Sequence, residues 1–136
     1  MTMKIILDTN FLMVPITLNI DIFEGLFQAV QDSYELLTID LVVKELEYLS
    51  KKKELKTIDR KAAKFGLSIL KQKNLKIEHS SLDQHTDDAL INKAIKFKDK
   101  GFSVAIATID KDLIRKAHEQ SIKVLSVKQK KNIYFQ

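Results

Sequence analysis

Four carboxylates stand far apart in the sequence at positions where folding could bring them together. Asp8 and Asp110 each follow a short apolar run that is typical of a buried strand. Asp88 falls in the expected first turn of a helix, and Glu45 borders the apolar stripe of another helix. Burying a lone carboxylate is costly, and no Lys or Arg is obviously placed to neutralise all four acids. The pattern therefore favours a shared, positively charged ligand.

A divalent cation is the ligand that suits such a group. Carboxylates that crowd together repel one another and raise each other's pKa, and a cation removes that conflict. The chain has no Cys, and its three His residues are scattered, so the ligands would be oxygen atoms, which favour Mg²⁺ or Mn²⁺. Ions of this kind hold water that can attack a phosphodiester. The four acids therefore predict a metal site with phosphodiester chemistry.

Each acid taken alone also has an ordinary structural explanation. Asp8 and Asp110 suit the cap of a turn or helix, and Asp88 suits the positive end of a helix dipole. Glu45 suits a surface ion pair with Lys44 or with a neighbouring helix. Only the expectation that all four acids meet in space favours metal binding over these explanations.

The elements that must position these acids follow from the hydrophobic pattern. Short apolar runs alternate with segments of helical periodicity along the whole chain. The expected strands cover residues 3–7, 34–39, 75–78, 102–108 and 122–127, and the tail 130–136 is expected to add an edge strand. The expected helices cover residues 18–32, 40–52, 57–73, 86–100 and 111–119, with Asp40, Thr57 and Thr86 as N-caps.

This alternation predicts one α/β domain over residues 1–136, with a central parallel sheet between two layers of helices. Ligands of such sheets bind beyond the carboxyl ends of the strands, where the winding direction switches. Asp8 and Asp110 both sit at strand ends of that kind. Phenylalanines at core-like spacings are expected to pack inside the domain; they are Phe23, Phe27, Phe65 and Phe97.

Composition and charge narrow the class of protein. The 136 residues carry a net charge of +5, and the charge is unevenly distributed. Residues 51–76 hold ten Lys or Arg against two acids, which is the expected footprint of a polyanion partner but also of a plain solvated face. The absence of Cys, of a signal-type N-terminus and of a membrane-length apolar run predicts a cytoplasmic protein that is not bound to a membrane.

Four segments, in order and spanning nearly the whole chain, resemble the PIN-domain nucleases; they are LDTNFLM (7–13), VVKELEYL (42–49), TDDALINKA (86–94) and ATID (107–110). The resemblance implies a Rossmann-like three-layer α/β/α sandwich with sheet order 3-2-1-4-5. It implies that Asp8, Glu45, Asp88 and Asp110 are the metal ligands and the catalytic residues.

Other positions match or depart from the family pattern. The resemblance places Asn10 and Thr108 among the polar groups that support the acids. Ile109 stands where the family usually has Asn. Asp87 precedes Asp88 and is an alternative ligand, because a helical wheel turns it closer to the apolar stripe. Asp112 is a further, weaker candidate.

The resemblance implies a Mg²⁺- or Mn²⁺-dependent endoribonuclease that acts on single-stranded or exposed RNA. The opening and closing segments are most similar to archaeal proteins akin to PIN factors of ribosomal RNA processing. The alternatives are a VapC-type toxin with an antitoxin partner and a non-catalytic RNA-binding scaffold. The family likeness also suggests a homodimer.

Phosphotransfer domains are disfavoured by their own motifs. Haloacid-dehalogenase-type phosphatases need a second Asp two residues after the first, where this chain has Asn10. Receiver domains need an Asp after the third strand, where this chain continues with residues 77–80, Ile-Glu-His-Ser.

Overall fold

The computed structural model describes residues 2–81 and 83–136. Within these residues, strands and helices alternate almost throughout, as the hydrophobic pattern predicts. The strands are β1 (Met3–Leu7), β2 (Tyr34–Ile39), β3 (Lys76–Glu78), β4 (Ser103–Ala107), β5 (Lys123–Lys128) and β6 (Asn132–Phe135). The helices are α1 (Thr9–Thr17), α2 (Ile22–Ala29), α3 (Asp40–Lys51), α4 (Thr57–Gln72), α5 (Thr86–Asp99) and α6 (Lys111–Glu119).

The strands form one sheet in the order β3-β2-β1-β4-β5-β6. The first five strands are parallel, which confirms the predicted order, and β6 runs antiparallel to β5 as the expected edge strand. Met3 of β1 lies opposite Tyr34 of β2 on one side and Ser103 of β4 on the other. The three-layer α/β/α fold class is therefore confirmed.

The centre of the sheet explains why its strands are continuous apolar runs. Ile5, Ile6 and Leu7 of β1 are fully buried, and so are Ala105 and Ile106 of β4. Strands covered by helices on both faces cannot alternate apolar with polar residues. The apolar run therefore stops where the strand leaves the sheet, and the first polar residue after it lies at the carboxyl edge.

Helix α1 is the element that the sequence did not predict. Its residues are apolar on almost every side, and Phe11, Leu12 and Val14 are buried, so the segment has no polar face that would reveal helical periodicity. Pro15 lies inside the helix, where a proline usually breaks the pattern. The predicted helix 18–32 is correspondingly shorter, and it begins after Asp21, whose carboxylate accepts bonds from the next backbone amides.

The predicted N-caps are wrong by one residue at three helices. Asp40, Thr57 and Thr86 are each the first helical residue, and the residues before them occupy the cap position. The Asp40 carboxylate nevertheless accepts a bond from the Leu41 amide at 2.9 Å. The Asp40 side chain therefore bonds a backbone amide of the first turn, as an N-cap would, although the helix starts one residue earlier than predicted.

Gly66 lets the helices on one face of the sheet approach closely. A Cβ at this position would lie 3.2 Å from Cδ2 of Leu46 and 3.4 Å from Cβ of Leu12. Helix α4 therefore packs tightly against both α3 and α1. This contact fixes the position of α3, which carries Glu45.

The aromatic residues divide between core and surface. Phe97 is 8% exposed and belongs to the core, as predicted. Phe23 is partly buried and packs against the core. Phe27 is 71% exposed and Phe65 is 41% exposed, so the prediction is wrong for these two. Phe27 lies on α2 and Phe65 on α4, and their spacing resembles that of core residues although both side chains are exposed.

No single helix among residues 2–81 and 83–136 is long and apolar enough to cross a membrane. Helices α1 and α2 reach that length only as a pair, and a bend of 114° separates them.

Candidate active site

Asp8 lies where the sheet topology places it, at the carboxyl end of a central strand. Leu7 at the end of β1 pairs with Ala107 at the end of β4, so the residues that follow the two strands are neighbours. The Asp8 amide donates to the Ala107 carbonyl at 2.9 Å. The Asp8 carboxylate accepts a bond from the Thr9 amide at 2.8 Å and one from the Thr108 hydroxyl at 2.7 Å. This carboxylate is 4% exposed and is held from two directions.

Asn10 and Thr108 tie the two strand ends together, as the family likeness implied. The Asn10 side-chain oxygen accepts from the Ile109 amide at 3.1 Å and lies 3.3 Å from the Thr108 hydroxyl. The Asp110 amide donates to the same hydroxyl at 3.0 Å. Because Asn10 uses only the backbone of residue 109, the replacement of the family's Asn by Ile leaves this contact intact.

Asp110 is the N-cap of α6. Its Oδ1 accepts from the Asp112 amide at 2.9 Å and from the Leu113 amide at 3.4 Å. Among the residues that the structure describes, its Oδ2 accepts no hydrogen bond. The ordinary explanation and the functional one are therefore compatible, since one oxygen caps the helix while the other remains available.

Glu45 is half-buried on α3, at the border of the apolar stripe, as predicted. The Thr86 hydroxyl donates to its Oε2 at 3.3 Å. This bond joins α3 to the start of α5, which carries the next two acids. Glu45 therefore lies beside the first turn of α5, although the two are about forty residues apart in sequence.

Asp87 and Asp88 differ in their surroundings. Asp88 has a 54% exposed side chain, and its Oδ1 lies 3.9 Å from the Lys116 ammonium. Asp87 is half-buried, and burial raises its pKa, as do the carboxylates of Asp110 and Glu45. The carboxylates of Asp110 and Glu45 therefore influence Asp87, whereas the family motif aligns with Asp88.

A pocket of about 330 Å³ opens at this place; its lining consists of Glu45, His85, Thr86, Asp87, Asp88 and Lys116. Lys116 was not singled out from the sequence. It lies six residues after Asp110, a spacing that does not return to the same face of a helix, so helical periodicity gives no signal for it. It is the one Lys or Arg that lines this pocket within the described part of the chain.

The Asp8 carboxylate has a raised pKa. Burial raises its pKa from 3.8 to about 7, although the bonds from Thr108 and Thr9 act in the opposite direction. The carboxylates of Asp87 and Glu45 raise it further. Acids from α3 and α5 therefore act on a buried acid at the end of β1, which is the mutual repulsion that a cation would relieve.

The side chains suit a hard cation in their chemistry but do not form a ready cage. Within residues 2–81 and 83–136, no three Asp, Glu, His or Cys side chains lie close enough together to hold one ion. Next to Asp8, the buried Thr9 hydroxyl has no hydrogen-bond partner among the described residues. An all-oxygen set in which the pKa values of Asp8 and Asp87 are raised, next to the Thr9 hydroxyl, suits Mg²⁺ or Mn²⁺ once side chains rotate to meet the ion.

The first turn of α6 holds one more acid. Asp112 is exposed, and its backbone amide serves the Asp110 cap. Its place as a further ligand stays a prediction.

The chain is similar to known proteins over nearly its whole length. The model of the family described as PIN like domain matches residues 5–130. Ribonuclease VapC4 of Methanocaldococcus jannaschii is 32% identical over 133 residues, which are 98% of this chain and 95% of that protein. The solved structure of the PIN domain endonuclease Utp24 superposes with a TM-score of 0.77 at 24% identity, covering 98% of this chain and 90% of the other. These matches show that the chain belongs to the PIN-like domain family.

Proposed function

We propose that this protein is a divalent-cation-dependent endoribonuclease that uses Asp8, Glu45 and Asp110 together with an acid of α5. The observation that carries the proposal is that Glu45 of α3 and Asp87 and Asp88 of α5 line one pocket, where the Thr86 hydroxyl donates to Glu45. The pKa of the buried Asp8 is raised, first by burial and then by Asp87 and Glu45. The similarity to a protein named as a ribonuclease supports RNA as the substrate.

The polar groups of the site divide the work between them. When bound, Mg²⁺ or Mn²⁺ supplies an activated water and stabilises negative charge on the phosphate. Thr108 and the Thr9 amide hold the Asp8 carboxylate in one orientation, so that its remaining lone pairs face the ligand. Asp110 performs two tasks, because it also fixes the start of α6. Asp88 is the α5 ligand that the family motif indicates, and Asp87 is the one that the electrostatics indicate.

Lys116 and more distant cations would bind the RNA itself. The Lys116 ammonium lies at the edge of the acid pocket, where it can reach a phosphate oxygen once the acids are neutralised. Basic residues in segments 51–64 and 123–131 would hold the flanking RNA backbone. Contacts of this kind weaken as salt is added.

The direct test measures cleavage of an end-labelled single-stranded RNA in Mn²⁺. Asp8→Asn should lower the cleavage rate at least 100-fold, and EDTA should abolish cleavage by the parent protein. Asp32→Asn is the matched control, because Asp32 is an exposed acid that takes no part in the pocket. Equal cleavage by Asp8→Asn and the parent would contradict the proposal.

The biological role divides into two proposals. The similarity to VapC4 favours the ribonuclease of a toxin–antitoxin pair, whereas the family likeness of the terminal segments favours ribosomal RNA processing. A toxin should arrest growth on expression and should be neutralised by a small protein encoded beside it. Harmless expression, with accumulation of uncut ribosomal RNA precursors on deletion, would instead support the processing role.

A further inference from the structure

A second polar pocket lies next to the acid pocket. It measures about 410 Å³ and lies between α5 and the segment that follows β3. Gln84 and Ala89 line it, and residues 85–88 between them line the acid pocket. The two pockets therefore meet at the start of α5, and the second one extends along that helix as far as Lys96.

One side of α5 lines this pocket. Ala89, Asn92, Lys93 and Lys96 follow the spacing i, i+3, i+4 and i+7, which places them on one side of a helix, and all four line the pocket. Ala89 is 1% exposed and belongs to the core, so the polar part of this side consists of Asn92, Lys93 and Lys96. The Asn92 amide already donates to Gln84 at 2.9 Å, which leaves the two lysines as the charged groups that α5 offers to the pocket.

The Lys93 ammonium is partly buried and has N–H groups available for a ligand. The Lys93 side chain is only 15% exposed, and its ammonium lies 3.8 Å from Glu78, which is too far for a hydrogen bond. Within the described residues, the ammonium donates no hydrogen bond, although it has three N–H groups. Glu78 does not depend on it, because Lys76 lies 3.1 Å away.

The carboxylates around this pocket already have hydrogen-bond partners. Asp40 accepts bonds from both the amide and the hydroxyl of Ser80, and the His79 ring lies 3.6 Å away. Burial acts to raise the pKa of Asp40, but these contacts outweigh it and lower the pKa. Asp83 also lines the pocket and accepts a bond from the Ser81 hydroxyl. The acid pocket has the opposite character, since its neighbour Asp8 has a raised pKa.

We propose that this second pocket, lined by Asn92, Lys93 and Lys96, binds a backbone phosphate of the RNA strand beside the phosphate that is cut. The proposal rests on the proposed function, because it states how the same site holds its substrate. Asn92 lies one helical turn beyond Asp88, about 6 Å along the axis, and Lys96 lies about 12 Å beyond it. These distances place the two lysines over the nucleotides next to the cleavage position.

The test measures binding of a labelled single-stranded RNA to the full chain in EDTA, where cleavage is blocked, at several salt concentrations. Lys93→Met and Lys96→Met should each weaken binding about fivefold at low salt, because each removes one phosphate contact. The double variant should lower the slope of log K against log salt by about 1.4, since each phosphate contact on a single strand contributes about 0.7. Lys100→Met is the matched control, because Lys100 is exposed at the end of the same helix and does not line the pocket.

Unchanged affinity and slope in the double variant would overturn the inference. Lys96 is exposed, so its replacement does not threaten the fold and keeps the test valid if Lys93→Met folds poorly. In Mn²⁺, the double variant should raise KM while leaving kcat within twofold. A parent protein that binds RNA through these lysines but never cuts it would refute the nuclease proposal and leave the phosphate pocket standing.

Discussion

Replacing Asp8 with Asn should make the cation-free protein more stable at alkaline pH while it abolishes activity. The pKa of Asp8 is about 7 in the folded chain, against 3.8 for an ordinary Asp, mainly because of burial. One pKa unit corresponds to 1.36 kcal/mol, so keeping this group ionised costs the fold about 4 kcal/mol at pH 8. The carboxylate is almost fully buried, so solvent screening reduces this cost little.

The surrounding hydrogen bonds can accommodate the amide. The Thr108 hydroxyl can turn its hydrogen toward Asn10, 3.3 Å away, and accept a bond from the new NH₂ group. The amide oxygen can keep the bond from the Thr9 amide. If this rearrangement costs about 1 kcal/mol, a net gain of about 3 kcal/mol remains at pH 8.

The sign of the pH dependence follows from proton binding. Between about pH 4 and pH 7 the folded parent holds a proton on Asp8 that the unfolded chain has released, so its stability falls as pH rises through that window. From pH 5 to pH 8 the parent should lose about 2.5 kcal/mol relative to Asp8→Asn. The advantage of the variant should therefore be large at pH 8 and close to zero at pH 5.

Urea and thermal unfolding in EDTA measure the difference in stability between Asp8→Asn and the parent at pH 5 and at pH 8. At pH 8, the melting temperature of Asp8→Asn should exceed that of the parent by roughly 10 °C. Asp32→Asn, at an exposed position, should stay within about 0.5 kcal/mol of the parent at both pH values. Adding Mn²⁺ should stabilise the parent and Asp32→Asn but not Asp8→Asn, because a ligand of the folded state shifts unfolding by mass action. A variant less stable than the parent at pH 8, or a gap independent of pH, would refute this reasoning.

Four further substitutions, in three tests, probe Thr108 and the residues of the acid pocket. If Asp87 is the ligand from α5, Asp87→Asn should lower cleavage at least 100-fold and Asp88→Asn less than tenfold, and the reverse result would assign Asp88. Lys116→Met should lower kcat/KM about tenfold while changing the free energy of unfolding by less than about 1 kcal/mol, because its ion pair is largely exposed; an unchanged rate would remove Lys116 from the site. Thr108→Val should cost about 1–3 kcal/mol in urea unfolding, because a buried carboxylate and a backbone amide both lose a partner; a neutral effect would show that the hydroxyl is dispensable.

The strand ends were the most predictable part of the site. Asp8 and Asp110 follow uninterrupted apolar runs, and a parallel sheet gathers the ends of such runs at one edge. The position of Glu45 at a stripe border was also readable, because helical periodicity alone sets it. These features depend on local sequence and on a topology rule, so no three-dimensional information was required.

The parts that could not be read depend on tertiary packing. Helix α1 has no polar face, so no periodicity reveals it, and only the packing around Gly66 shows why it is helical. Phe27 has the spacing of a core residue but lies on a face that nothing covers. A helical wheel turns Asp87 closer to the apolar stripe than Asp88, but the approach of either acid to Asp110 and Glu45 depends on the axial rotation of α5 against α3, which one sequence does not fix.

The Thr108 hydroxyl connects two parts of the molecule that would otherwise vary independently. It donates to Asp8 and accepts from the amide of Asp110, so it contacts both the end of β1 and the start of α6. Ser at position 108 would keep the hydroxyl that both partners use, whereas a residue without a hydroxyl would disturb both partners at once. Substitutions at Thr108 and Asn10 should likewise be non-additive in a double-mutant cycle, so natural variation at these two positions should be correlated.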